Sequence, residues 1–223
     1  MKKTAIIVAG GTGTRMQAGI PKQFMLLSGK PVLMHTLNAF AAYDAGMVLL
    51  VTLPLSFIQD WKALCRDYTF EIPHRVIEGG ATRFHSVRNA LHHTPDDSWV
   101  AIHDGVRPLV QPSLIRFCFE EALVFGNAVP VVALNESLRT LEDNSSGPED
   151  RTKFRLVQTP QVFQAAFIKK AYAREYQPEF TDDATVYESL FEKIHLIDGD
   201  PKNIKITHPD DLLIAEALFM AMK

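Results

Sequence analysis

The sequence predicts an α/β fold: a mostly parallel sheet flanked by helices, built as a single domain over residues 1–223, with a projecting β-arm at about residues 135–157. Three observations predict it. Short apolar runs alternate with amphipathic stretches, which implies parallel strands joined by right-handed crossovers. Glycine pairs and an acid–cation cluster fall just after the apolar runs, at the strand ends where ligands bind in such sheets. A polar, turn-rich tract from Glu142 to Asp150 (EDNSSGPED) interrupts the alternation and is too short to link a second full domain.

In chain order, strands are predicted at Thr4–Ala9, Met47–Leu53, Arg75–Glu78, Trp99–His103 and Ala128–Ala133, and helices at Pro31–Tyr43, Ser56–Tyr68, Arg83–His93 and Pro112–Phe125. Leu33, Leu37, Phe40 and Ala41 recur at helical spacing in the first helix, and Phe57, Ile58, Trp61, Leu64 and Cys65 do so in the second. Pro112-Ser113 suits a helix start. The arm is read as one strand out near Ser137–Leu141, a turn, and one strand back near Lys153–Val157. A two-stranded arm is marginal alone in water, so a second copy of the chain is its economical partner. Helices follow near Ala165–Glu175 and Asp182–Phe191, then strands at Ile194–Ile197 and Asn203–Thr207. The last helix starts at Pro209, with Asp210 and Asp211 favoured in its first turn by the helix dipole.

Composition excludes several classes. Hydrophobic content of 47% and charged content of 22% are those of an ordinary globular protein, and a net charge of −3 gives no basic field for nucleic acid. No apolar run approaches the ~20 residues of a membrane span. The apolar run after Met1-Lys2-Lys3-Thr4 is too short for a signal peptide, and the two cysteines, Cys65 and Cys118, form no C-x-x-C pair. A cytoplasmic, reducing location is expected. The eight histidines show no metal-binding spacing, and no Ser-His-Asp or Cys-His order is arguable.

The richest segment runs from Ala5 to Gln23, AIIVAGGTGTRMQAGIPKQ. An apolar strand opens into a glycine-rich turn whose backbone N–H groups can face phosphate oxygens, and Arg15 and Lys22 add two cations. The spacing fails the Walker A pattern, because Arg15 follows Gly10 by five residues and Lys22 follows Pro21. It also fails the dinucleotide fingerprint: Met16 stands at the third glycine position, and no acid lies between Leu27 and Phe40.

Three further segments carry chemistry. Gly79-Gly80 opens GGATRFHSV, where a diglycine lets backbone approach a flat ligand and the Ser86 hydroxyl can reach a base edge; a tight turn capped by Thr82 is the plainer reading. In HDGVRP, Asp104 and Arg107 place an acid and a cation at one strand end, suited to a sugar hydroxyl, a metal ion or a phosphate, or to a local ion pair. Lys205 alternates with Ile204 and Ile206 and so points to the opposite face, toward solvent or an anion. Thr181-Asp182-Asp183 reads as a helix start, with Thr181 as a cap.

Together, AGGTGTRM with PKQF, GGATRFHSV, HDGVRP, TPQVF (Thr159–Phe163), TDDA (Thr181–Ala184) and NIKIT (Asn203–Thr207) make the chain resemble the 2-C-methyl-D-erythritol 4-phosphate cytidylyltransferases, nearly end to end. The resemblance implies a Rossmann-like nucleotidyltransferase fold, a homodimer joined through the arm, CTP as substrate and a divalent ion, usually magnesium. It implies that Ala9, Gly10, Gly11, Thr12, Gly13, Arg15 and Lys22 hold the triphosphate, and that Gly80 and Ser86 read the cytosine while Gly79 shapes the turn. Asp104, Arg107, Thr181 and Lys205 would hold the methylerythritol phosphate, with Ser137 and Arg151 supplied by the partner's arm. Arg15, Lys22 and Lys205 are the implied catalytic cations. The ion would be held mainly by CTP phosphates, with Asp104 as the candidate side-chain contact.

The chain departs from the family pattern at Glu136-Ser137 (usually Asp-Thr), at Ala81 (often acidic) and at Ala90 (commonly glycine). The nearest alternative is a ribitol-5-phosphate cytidylyltransferase, which shares the opening loop, HD-x-x-RP and TPQ; the Ser86-Val87 pair leans away from it. A uridylyltransferase is disfavoured by GGATRFHSV. A non-catalytic nucleotide-binding module would have lost cations that Arg15, Lys22, Arg107 and Lys205 retain.

Overall fold

The structure, a computed structural model, describes residues 1–11, 20–143, 145–191 and 193–222. Its first strand, β1 (Lys2–Val8), is buried from Thr4 onward. Ala5 and Ile7 face one apolar layer, while Ile6 and Val8 face the other. This two-sided burial marks a central strand of a sheet covered on both faces.

Short strands β2 (Leu26–Leu27) and β3 (Lys30–Pro31) lead into α1 (Val32–Tyr43). Then come β4 (Val48–Leu53), α2 (Ile58–Asp67), β5 (Arg75–Glu78), α3 (Arg83–Leu91), β6 (Ser98–Asp104), α4 (Pro112–Phe125) and β7 (Asn127–Ala133). Strands β8 (Leu138–Glu142) and β9 (Ser145–Glu149) pair antiparallel as a separate hairpin. The chain returns through β10 (Arg155–Val157), β11 (Gln161–Gln164), α5 (Ala165–Tyr172), α6 (Asp183–Glu188), β12 (Leu196–Asp198) and α7 (Pro209–Ala221).

The main sheet has the order β10-β7-β11-β6-β1-β4-β5, with β12 also on β7. The half from β6 to β5 is parallel throughout, while β11 and β10 run antiparallel to their neighbours. One face is covered through Leu33, Leu37 and Phe40 of α1, Trp61 of α2 and Ile115 and Phe119 of α4. The other carries Phe84 and Val87 of α3, Ile168 and Tyr172 of α5 and Val186 of α6. A third cluster packs α7, through Ala215, onto Leu27, Val32, Val106 and Ile206.

Several expectations need correcting. The arm's return strand is Ser145–Glu149, inside the acidic tract read as a turn, whereas 155–157 joins the main sheet beside β7. Both arm strands are almost wholly exposed, so no buried face imposed an apolar alternation that could reveal them. The turn instead shows in Asp143, whose φ is +39°. The expected strand at 203–207 is irregular: the Asn203 and Ile204 N–H groups turn back to the Asp200 and Lys202 carbonyls, and Ile206 N–H alone of the segment's backbone donors reaches a distant backbone, the Val106 carbonyl at 2.9 Å. Strand β11 went unpredicted. The helix expected at 182–191 shortens to α6, and its cap is Asp182 rather than Thr181: the Asp182 carboxylate accepts from Thr185 N–H at 2.9 Å. Cys65 and Cys118 lie in α2 and α4 and are free thiols. Among the described residues no helix is long and apolar enough to cross a membrane.

Where β6 ends, a buried network fixes the chain. The Asp104 N–H donates to Thr159 Oγ1 at 3.1 Å, and the Thr159 hydroxyl donates to His103 Nδ1 at 3.0 Å. His103 Nε2–H is thereby left to donate to the Arg107 carbonyl at 3.3 Å, which defines a neutral tautomer. Burial pushes the His103 pKa from 6.5 down to about 3. The folded state therefore binds fewer protons than the unfolded chain below pH 6.5. That stability is full above 6.5 and is lost progressively as pH falls toward 3. Urea unfolding should show about 2 kcal/mol lost from this group between about pH 7.5 and about pH 5, and His103→Gln should remove that part of the acid sensitivity.

Candidate active site

The carboxyl ends of β1, β5 and β6 converge on a cavity of about 370 Å³, within the ~300–1,000 Å³ range of ligand pockets. Ala9, Gly10, Gly11, Lys22, Gly80, Ser86, Asp104 and Lys205 line it, joined by Gln23, Ala81 and Arg83. The glycine-rich turn, the turn that opens GGATRFHSV and the acid–cation cluster of the sequence therefore face one space. Thr12, Gly13 and Arg15 lie outside the described residues.

Lys22 opens a short 3-10 helix, Lys22–Phe24, anchored from behind. Phe24 stacks on the buried Trp61 ring at 5.9 Å, and Gln23 Nε2 donates to the Ala9 carbonyl at 2.9 Å. Trp61 Nε1 in turn donates to His74 Nε2 at 2.9 Å. The ammonium-bearing segment is thus fixed by an aromatic stack and by the end of β1.

The second turn is shaped by Ser86. Its hydroxyl donates to the Thr82 carbonyl and accepts from the Gly80 N–H, each at 3.0 Å. Thr82 caps α3, as the plainer sequence reading has it. A Cβ at Gly80 would lie 2.3 Å from His85 Cβ and 3.0 Å from the His85 carbonyl carbon, and one at Gly79 would lie 3.2 Å from Ser86 Oγ. Glycine is therefore required at Gly80 by close approach to α3. Gly80→Ala should destabilise the fold by about 1–3 kcal/mol, because the helix start must shift; urea unfolding reads the loss.

Asp104 is the electrostatic centre. Lys205 Nζ lies 2.9 Å from Oδ2, Arg83 Nε 3.4 Å from Oδ1 and Arg107 Nε 3.6 Å from Oδ2. Burial opposes ionisation of this carboxyl, but the charges of Arg83, Lys205 and Arg107 outweigh it and hold the pKa well below the usual carboxylate value. Lys205 keeps 40% of its side chain exposed toward the cavity while Ile206 is fully buried, the alternation expected of that segment.

Other expected residues lie elsewhere. Arg107 is buried, donates to the Asn203 carbonyl at 2.7 Å and does not line the cavity, so its local role is to tie the Lys205 segment to β6. Ser137 and Arg151 line a common depression on the arm and do not line the cavity. Thr181 is exposed and does not line the cavity. Sequence reasoning missed Arg83. Its signal was a cation in the first turn of a helix, where the dipole disfavours positive charge and an acidic partner is implied.

The model of the 2-C-methyl-D-erythritol 4-phosphate cytidylyltransferase family matches residues 3–221. The chain belongs to that family. It is a nucleotidyltransferase, and its α/β fold is the family's. It is 49% identical over 218 residues to the 2-C-methyl-D-erythritol 4-phosphate cytidylyltransferase of Bacteroides thetaiotaomicron, covering 98% of this chain and all of that one. Identity to the enzyme of the same name from Porphyromonas gingivalis is 48%, over 97% of each chain. Among solved structures, that of the Thermus thermophilus cytidylyltransferase superposes with a TM-score of 0.78 at 32% identity, covering 96% of this chain and 98% of that one. The Francisella tularensis enzyme does so at 0.80 and 29%, covering 97% and 99%.

Proposed function

We propose that the chain transfers CMP from CTP to 2-C-methyl-D-erythritol 4-phosphate, releasing pyrophosphate, in isoprenoid precursor synthesis, and that the cavity at the ends of β1, β5 and β6 is where it does so. The observation that carries this reading is the single cavity shared by the Gly10-Gly11 turn with Lys22, the Gly79-Gly80 turn with Ser86, and the Asp104–Lys205 pair. The first would hold the triphosphate with Thr12, Gly13 and Arg15. The second would read cytosine, and Ala81 would leave that contact to backbone groups and Ser86. The third would hold the acceptor.

The acceptor phosphate is already an oxyanion and needs no general base. One of its oxygens attacks the α-phosphorus of CTP in line; the bond to the β-phosphate oxygen breaks, and its electron pair leaves with pyrophosphate. The barrier is the approach of two anions and the charge that builds on the leaving oxygen, so positioning and cations carry catalysis. Lys22 and Arg15 are assigned to the α-phosphate and leaving group, and Lys205 to the reacting phosphates.

For magnesium, the donor set argues against a carboxylate cage. Asp104 is already engaged by Arg83, Lys205 and Arg107, and among the described residues no group of three His, Cys, Asp or Glu side chains could hold an ion. The ion in this reading belongs to the nucleotide, held by CTP phosphate oxygens.

The acceptor site would be closed by Ser137 and Arg151 of a second protomer's arm, with Arg107 acting from behind the cavity by holding Asp104. The exposed Leu141 (85%), Phe154, Leu156 and Val157 at and beside the arm give that partner an apolar surface to cover. Free Cys65 and Cys118 suit a cytoplasmic enzyme.

Pyrophosphate release should occur with CTP plus 2-C-methyl-D-erythritol 4-phosphate and not with ribitol 5-phosphate; release with ribitol 5-phosphate alone would replace the acceptor assignment. Lys22→Ala should lose about 3–4 kcal/mol of transition-state stabilisation while its circular dichroism stays native. Sedimentation should show a dimer that Leu141→Asp converts to monomer; an unchanged dimer would move the interface away from the arm.

A further inference from the structure

Arg83 opens α3 with no acid in that helix's own first turn. Its side chain is only 27% exposed. It is compensated from two other elements. Nη1 and Nη2 donate to Asp183 Oδ1 and Oδ2 at 2.8 and 2.7 Å, a bidentate fork, while Nε faces Asp104 Oδ1 at 3.4 Å. Behind the fork, the Tyr172 hydroxyl donates to Asp183 Oδ1 at 2.6 Å. Asp183 is fully buried and does not line the cavity, so it can reach the site only through Arg83.

The result is a continuous string: Tyr172 to Asp183, Asp183 to Arg83, Arg83 to one oxygen of Asp104, and Lys205 on the other oxygen. Arg83 and Lys205 compete for the same carboxylate. Lys205 rests on Asp104 Oδ2 at 2.9 Å, and an ammonium needed by a phosphate must be able to leave that acid; a carboxylate held by its other oxygen to a rigid guanidinium cannot swing to follow it.

We propose that Arg83, clamped by Asp183 and Tyr172, is a positioning residue for the acceptor: it fixes the Asp104 carboxylate and thereby leaves Lys205 available to the acceptor phosphate. This role rests on the reading that Asp104 and Lys205 hold the acceptor. Without the clamp, Asp104 is held only through the oxygen that Lys205 and Arg107 share and follows the ammonium when it turns to the phosphate, so the acceptor half of the site loses both its oriented acid and its cation. The nucleotide half, built on Lys22, Gly80 and Ser86, is not part of the string.

The test is a comparison of KM values for CTP and for 2-C-methyl-D-erythritol 4-phosphate in the full-length enzyme. Asp183→Asn keeps the shape but offers Arg83 one acceptor in place of two. It should raise the acceptor KM by about ten- to a hundredfold, the cost of sub-ångström misplacement, and change the CTP KM by less than about twofold. Arg83→Lys keeps the charge but cannot fork and bridge together, so it should show the same selective loss rather than rescue. Tyr172→Phe removes one bond from the clamp and should give a smaller change in the same direction; it and Arg83→Lys decide the matter if Asp183→Asn does not fold. Equal changes in both KM values, an unaltered acceptor KM in folded variants, or full activity of Arg83→Lys would overturn the clamp. Asp104→Asn separates the two levels. If it raises the acceptor KM while the clamp variants do not, only the clamp fails. If it leaves the acceptor KM unaltered, the acceptor site is elsewhere and the clamp falls with it.

Discussion

One carboxylate shared among Arg83, Arg107 and Lys205 is the constraint on which the site depends. Cations brought together to meet phosphates repel one another and would pay for their burial alone. Asp104 offsets that repulsion and stays ionised because the surrounding positive charge outweighs the cost of its burial. The same carboxylate ties α3, the turn after β6 and the C-terminal segment to one point, so electrostatics and geometry are set together.

The scaffold serves that point. Asp104 is held at its backbone by Thr159, which also fixes the neutral His103. Asn203 donates to the Thr159 carbonyl at 2.8 Å and accepts from Arg107, so the Lys205 segment is stitched to β6 without being a strand. Gln161 accepts from Ala184 N–H at 2.8 Å and donates to Asp182 at 2.9 Å, placing the start of α6 so that Asp183 meets Arg83. The TPQVF, TDDA and NIKIT motifs thus act here chiefly as braces between elements.

Elements with a buried apolar face were legible. β1, β4, β5, β6 and β7 fall within two residues of their expected bounds, and so do α1 and α4. The arm's return strand was not, because Ser145–Glu149 is exposed along nearly its whole length and carries no burial pattern. The segment around Lys205 shows the reverse. Its alternation gave the right side-chain direction, with Ile206 buried and Lys205 at the cavity, although no strand forms there. Side-chain direction follows from extended backbone, whereas a strand needs a partner ladder that only neighbouring segments can supply.

The sequence by itself determined the parallel half of the sheet, the glycine turns at strand ends and the stock of cations, because periodicity and turn chemistry are local properties of the chain. Only the tertiary structure decided which cations face the cavity and which are held behind it. Arg107 turned inward to Asn203, and Arg83, without a role in the motif that contains it, became the link between Asp183 and Asp104. Arg83 and Asp183 lie 100 positions apart. No spacing rule reaches across that distance; their pairing exists because the crossovers of a doubly covered sheet bring α3 and α6 to the same strand end.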